Sequence, residues 1–228
     1  PHPDSVNKEM DYMLSFAKAN PEMERFLLLR FVNRYYSQRY MWEDAVFVHL
    51  YEKYFATNPP SWLSEQGKKT ITDRAYSLMA NIFGSPATEI QLPDSTGKSI
   101  SLYGLKNEYA LVIFWDPLCG HCKETLPKID SVYQLRWKGQ GLGVYAVAKE
   151  NEGTREDWLK FIRDKNLGHW SHVYYSKEAE KVRVSNNVPG YSQLYDVQSF
   201  PTLYLLDKDK RIVAKKLSFE QIDEILQL

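Results

Sequence analysis

The sequence predicts an α/β fold, a mixed sheet flanked by helices, preceded by a small all-α helical domain. Three observations carry that prediction. Apolar residues recur at helical spacing through residues 1–84, short apolar runs and alternation take over from Pro86, and Gly84-Ser85-Pro86 marks the break between them. The chain has 228 residues and is 43% hydrophobic, enough for two ordinary domains with real cores, placed here at 1–84 and 85–228. Lysine plus arginine equals aspartate plus glutamate at 29 each, and the balance holds on both sides of Gly84. Such a composition gives no sign of a nucleic-acid partner or an anionic membrane surface.

The first domain reads as four amphipathic helices with short links, a small bundle. Met10, Met13, Leu14 and Ala17 share one face of the first helix, and Asn20-Pro21 caps a second that carries Phe26, Leu27, Phe31 and Tyr35 inward. Phe47, Leu50, Tyr51 and Tyr54 mark the third. After Asn58-Pro59-Pro60, the residues Ile71, Ala75, Leu78, Met79 and Ile82 mark a fourth, stopped at Gly84. Tyr35, Tyr36, Tyr40 and Trp42 are read as core rather than as a recognition surface. His49, with no second candidate ligand three or four residues away, is read as structural.

In the second domain, 89–92 and 99–102 predict a β-hairpin across Pro93-Asp94-Ser95-Thr96-Gly97-Lys98. The six-residue apolar run 110–115 predicts a buried central strand, and Leu126, Ile129, Tyr133 and Trp137 predict the helix that follows. A second buried strand covers 144–148, a helix 154–165 and a short strand 172–175. Strands at 203–206 and 211–214 form an antiparallel pair, and Ser218 caps a last helix with Phe219, Ile222, Ile225 and Leu226. The long segment 176–197 is read as a surface insertion rather than part of a site.

The chain has two cysteines, Cys119 and Cys122, spaced C-x-x-C directly after the central strand. Cys119 is placed where the strand hands over to a helix N-terminus, whose unpaired N–H groups and dipole favour a thiolate, the nucleophile of disulfide exchange. Structural zinc requires four ligands and no second pair of cysteines exists; His169 and His172 form only half of a metal site. A purely structural bridge across so short a loop would restrain the unfolded chain little. Redox exchange is the expectation, with no metal and no cofactor.

The segment W-D-P-L-C-G-H-C-K, with Phe200-Pro201-Thr202 downstream, resembles thioredoxin-fold proteins. The stretch 86–101 before the strand is similar to the TlpA/ResA-like branch of exported or membrane-anchored thiol-disulfide oxidoreductases. The resemblance covers residues 85–228. It implies that Cys119 attacks, that Cys122 resolves, and that Phe200 and Pro201 dock the substrate backbone beside a cis peptide bond. Trp115 matches the family's tryptophan next to the site approximately. The helix and strand at 154–175 lengthen the gap between Cys122 and Pro201, as in this branch and in peroxiredoxins. A peroxiredoxin would carry threonine or serine three residues before the reactive cysteine, where Asp116 stands.

His121 between the cysteines resembles protein disulfide isomerases, which implies a couple more oxidising than thioredoxin's, between about −270 and −180 mV. Two positions depart from the pattern. Ile113 stands where thioredoxin carries a buried acid, and Thr125 stands where ResA-like proteins place a glutamate, leaving Glu124 as the nearest acid-base group for Cys122. The resemblance implies protein disulfide or dithiol substrates, a membrane electron donor, and a periplasmic or membrane-anchored extracytoplasmic location with a signal or anchor trimmed before Pro1. The competing reading is a binding or assembly protein in which the helical domain recruits a partner and C-G-H-C is vestigial.

Overall fold

The computed structural model describes residues 2–227. The chain divides into two compact units, Pro1–Phe83 and Gly84–Leu228.

The first unit contains α1 (Pro3–Ala17), α2 (Pro21–Tyr36), α3 (Glu43–Tyr51) and α4 (Glu65–Met79), with a π turn over Glu52–Ala56 prolonging α3. Local chemistry sets the helix starts. Asn20 Oδ1 accepts from Glu22 N and Met23 N at 3.0 and 3.2 Å, with Pro21 in the first turn, and Ser64 Oγ accepts from Gly67 N at 3.1 Å. The core gathers Met10, Leu14, Leu28, Val32, Phe47, Leu50, Ile71, Ala75 and Leu78. On α2 the fully buried stripe is Leu28 and Val32, whereas Phe26 is 56% exposed, so the stripe expected from sequence is rotated. The helix has apolar residues on several faces, and periodicity alone does not choose among them. Tyr40 also departs from the reading as core, being 61% exposed and stacked on Trp42, because it lies in the turn between α2 and α3 and not on a helix. His49 bonds Asp11 at 3.0 Å, and Lys53 and Tyr54 donate to the same carboxylate at 2.7 Å, tying α1 to α3.

The second unit is built on a five-stranded sheet of order β5-β4-β3-β6-β7, beside a two-stranded hairpin of β1 (Gln91–Pro93) and β2 (Ser99–Ser101). β3 (Tyr109–Trp115), β4 (Leu142–Lys149) and β5 (Ser171–Tyr175) run parallel, and β6 (Thr202–Asp207) and β7 (Ile212–Lys215) run antiparallel. β3 is the central strand, paired on both edges, with Trp115 opposite Ala148 and Phe114 opposite Thr202. A strand covered on both faces is apolar throughout, which is why 110–115 shows no alternation. Val112 and Phe114 face a core with Tyr145, Val147, Tyr204 and the hairpin residues Leu92 and Leu102. The opposite set includes Trp115, whose ring lies 5.1 Å from Phe161 of α6 (Arg155–Asp164). Thr154 starts α6 with a capping box to Asp157.

The segment 176–197 is not a surface insertion. It forms α7 (Lys177–Ser185) and the short α8 (Tyr191–Leu194), and it delivers Tyr191 and Tyr195 into the sheet core. Tyr191 N donates to Tyr175 Oη at 3.2 Å, Tyr204 Oη donates to Tyr195 O at 2.6 Å, and Tyr195 Oη donates to Thr88 O. These links span up to 107 residues of sequence and leave no periodic signature. The unit closes with α9 (Phe219–Leu226), capped by Ser218 as expected.

Candidate active site

The site forms where β3 ends. Asp116 and Pro117 turn the chain, and α5 (Gly120–Val132) starts with Cys119 as its N-cap, at φ −60° and ψ 122°. The first turn of α5 contains no acidic side chain, and its N–H groups point toward Cys119. Both cysteines are free thiols. Cys119 is partly exposed, and its Sγ donates to Phe200 O at 3.5 Å; Cys122, one turn on, is completely buried. Burial pushes the Cys122 thiol far above its ordinary range; the Asp116 backbone N–H opposes that shift, and Cys119 and the Asp116 carboxylate add to it.

The Phe200-Pro201 bond is cis, and β6 begins at the next residue. The loop that carries it and the start of α5 form an open groove of about 630 Å³, lined by His121, Thr125 and Lys128 on one side and by Phe200 and Pro201 on the other. Lys216 and Asp196, an ion pair, form part of the same wall, each with a backbone in the left-handed region, at φ 57° and 44°.

Of the residues singled out from sequence, Cys119, Phe200 and Pro201 come together at the surface with His121 close by, and Cys122 lies beneath. Trp115 does not join them. It is 0% exposed and packed on Phe161, supporting the strand from within the core, while Leu118 at 41% exposure is the apolar side chain next to Cys119 on the surface. Glu124 is exposed on α5, and Thr125, three residues after Cys122 on the same helix, borders the groove. His169 bonds Asp130 at 2.6 Å and His172 bonds Leu167 O at 2.8 Å. Burial holds the His172 imidazole down to about 4.

In sequence, Asp116 stands out only as the position where a hydroxyl is absent. Its side chain is 1% exposed, and the carboxylate accepts three backbone N–H bonds: Leu118 N to Oδ1 at 2.7 Å, Glu152 N to Oδ2 at 2.7 Å, and Gly153 N to Oδ1 at 3.2 Å. The signal available in sequence was an aspartate at the end of an apolar run, directly before Pro117, where its side chain commonly bonds the backbone two residues on.

A five-stranded mixed sheet with a C-x-x-C pair where its central strand meets a helix defines a thioredoxin-like protein of the thiol-disulfide oxidoreductase class. The model of the AhpC/TSA family matches residues 83–215, and the chain belongs to that family. It is similar to the thiol-disulfide oxidoreductase ResA of Bacillus cereus, 27% identical over 145 residues that cover 63% of this chain and 74% of that protein. Among solved structures it is similar to a domain of a possible thiol-disulfide isomerase from Cytophaga hutchinsonii ATCC 33406. That match is 35% identical with TM-score 0.54 and covers 64% of this chain and 90% of the other. A thioredoxin-like protein from Bacteroides caccae ATCC 43185 shares the fold over 99% of this chain and 77% of its own, with TM-score 0.73 and 21% identity. No helix among the described residues is long and apolar enough to cross a membrane.

Proposed function

We propose that Cys119 and Cys122 exchange a dithiol and a disulfide with protein substrates, and that the protein works as a reductant in an extracytoplasmic compartment. Cys119 attacks the substrate disulfide as the thiolate, one substrate sulfur leaves, and a mixed disulfide forms. Cys122 then attacks the Cys119 sulfur, closing the internal disulfide and releasing the second substrate sulfur. The observation that carries this reading is the pairing of an accessible Cys119, 3.5 Å from the Phe200 carbonyl, with a buried Cys122 one helical turn behind it. A substrate strand lying in the groove would meet the Phe200-Pro201 backbone beside the nucleophile. A membrane electron donor returns the pair to the dithiol, and the helical unit recruits a partner; the resemblance to TlpA/ResA-like proteins supports the donor and the compartment.

The test is reduction of a protein disulfide by the wild type, Cys119→Ser and Cys122→Ser. Loss of turnover in both variants, with a trapped mixed disulfide only in Cys122→Ser, is expected. Equal rates in wild type and Cys119→Ser would leave a binding protein with a vestigial pair, and peroxide consumption outpacing disulfide reduction would make it a peroxide reductase. His121, exposed in the first turn of α5, sets the direction of exchange. Equilibration with glutathione buffers should place the couple between about −270 and −180 mV, with His121→Pro lower.

A further inference from the structure

Resting on that reading, we infer that Asp116 is the positioning residue of the dithiol: its buried carboxylate clasps the Cys119 loop to the loop after β4 and sets how fast Cys122 resolves a mixed disulfide. On one side of the clasp, Oδ1 holds Leu118 N at 2.7 Å while the Asp116 carbonyl accepts from Cys119 N at 3.1 Å, fixing the backbone that carries the nucleophile. On the other, the carboxylate holds Glu152 N and Gly153 N. A Cβ at Gly153 would stand 3.0 Å from Asp116 Oδ1 and from Pro117 Cβ and Cδ, so the contact is closed to a larger residue. Three main-chain N–H groups converging on one carboxylate fix where it stands. It acts through its position and its charge.

That charge also reaches Cys122. The titratable groups acting on the buried thiol are Cys119 and Asp116, and both oppose a further negative charge there. From β5, Tyr174 faces Asp116 as the neutral phenol, pushed up to about 12 by burial, with Glu150, Glu156 and Arg155 acting on it in turn. Ile113, two residues before Trp115 on β3, is apolar and takes no proton. Once the mixed disulfide has formed, Cys122 must lose its proton to solvent before it attacks the Cys119 sulfur. A fixed anion beside it slows that step, and the longer-lived mixed disulfide gives a second substrate thiol time to attack.

The experiment is a single-turnover reaction of the reduced protein with dithiobis(nitrobenzoate) across a pH series. Attack by Cys119 releases the first nitrothiobenzoate; attack by Cys122 on the Cys119 sulfur releases the second as the internal disulfide closes. In Asp116→Asn the second release should be roughly tenfold faster at pH values below its midpoint, the scale on which one neighbouring charge moves an ionisation. Its midpoint should fall, with the first release little changed. Gly153→Ala keeps the charge and displaces the clasp, and should slow the second release without moving its midpoint. An Asp116→Asn profile that superimposes on wild type, or that slows with an unmoved midpoint, reduces Asp116 to a brace and overturns the inference. If Asp116→Asn does not fold, Gly153→Ala decides, and an unaltered second release overturns it. Absence of a second release in the wild type is a separate failure, that of Cys122 as resolver, visible before any variant is compared, and it takes this inference with it.

Discussion

Each compact unit gathers a junction of elements around one aspartate, and the two are satisfied by different kinds of donor. Asp11 in the helical unit is held by side chains, with His49, Lys53 and Tyr54 converging on it. Asp116 in the sheet unit is held by main-chain N–H groups, two of them from a loop more than 30 residues away. Side-chain donors at a part-exposed site turn to water when the carboxylate is removed, at small cost. Main-chain donors have fixed directions, so removing the carboxylate leaves the buried Gly153 N–H unpaired. The first arrangement staples helices together, whereas the second ties the loop before Cys119 to the loop after β4.

The contrast can be broken at four places. Asp116→Ala should cost about 2–4 kcal/mol by chemical denaturation, since up to three main-chain N–H groups lose their partner; a loss no larger than that of Asp11→Ala would erase the distinction. Asp11→Ala should cost about 1 kcal/mol, because Lys53 Nζ, Tyr54 Oη and His49 can be hydrated. The third concerns pH. Burial works against the Asp11 charge, but bonds from Lys53, Tyr54 and His49 outweigh it and hold the carboxyl below its ordinary 3.8. A carboxyl depressed in the folded state contributes stability above pH 3.8 that is lost as pH falls through the lower folded value. Acid unfolding followed by helix circular dichroism should therefore begin just below that pH and should be blunted in Asp11→Asn. The smallest effect belongs to Glu124→Gln, on the exposed face of α5, which should change stability by less than about 0.5 kcal/mol and leave the pH profile of exchange in place. A clear shift would restore Glu124 as the acid-base group serving Cys122.

Much of the architecture was legible in the sequence because local chemistry decides it. Asn20, Thr154 and Ser218 announce helix starts through their own side chains, and 110–115 announces a strand buried on both faces. The place of the cysteine pair, between that strand and the next helix, followed from C-x-x-C directly after the apolar run. What escaped were features with no local signal. Tyr195 reads as a loop residue until its hydroxyl is seen on Thr88 O, and Phe26 and Leu28 compete for the inward face of a helix apolar on several sides. Trp115 adjoins the site in sequence and so resembles a surface partner for substrate, but alternation along β3 sends it to the opposite core. Asp116 was hidden because its partners Glu152 and Gly153 are supplied by another strand's loop.

The tyrosines that the segment 176–197 brings into the sheet core give the molecule an alkaline ceiling. Of the 16 tyrosines in the chain, Tyr12 and Tyr40 are more than 60% exposed, whereas Tyr145, Tyr175, Tyr191, Tyr195 and Tyr204 are buried. Burial pushes the Tyr175 phenol up to about 12 and those of Tyr145 and Tyr195 further. A phenol raised in the folded state contributes stability that is complete below its unfolded value near 10 and is lost as pH climbs toward the folded one. Tyrosinate absorbance in an alkaline titration should therefore rise in two stages. The last stage belongs to Tyr145, Tyr175 and Tyr195, which ionise together only when the sheet comes apart.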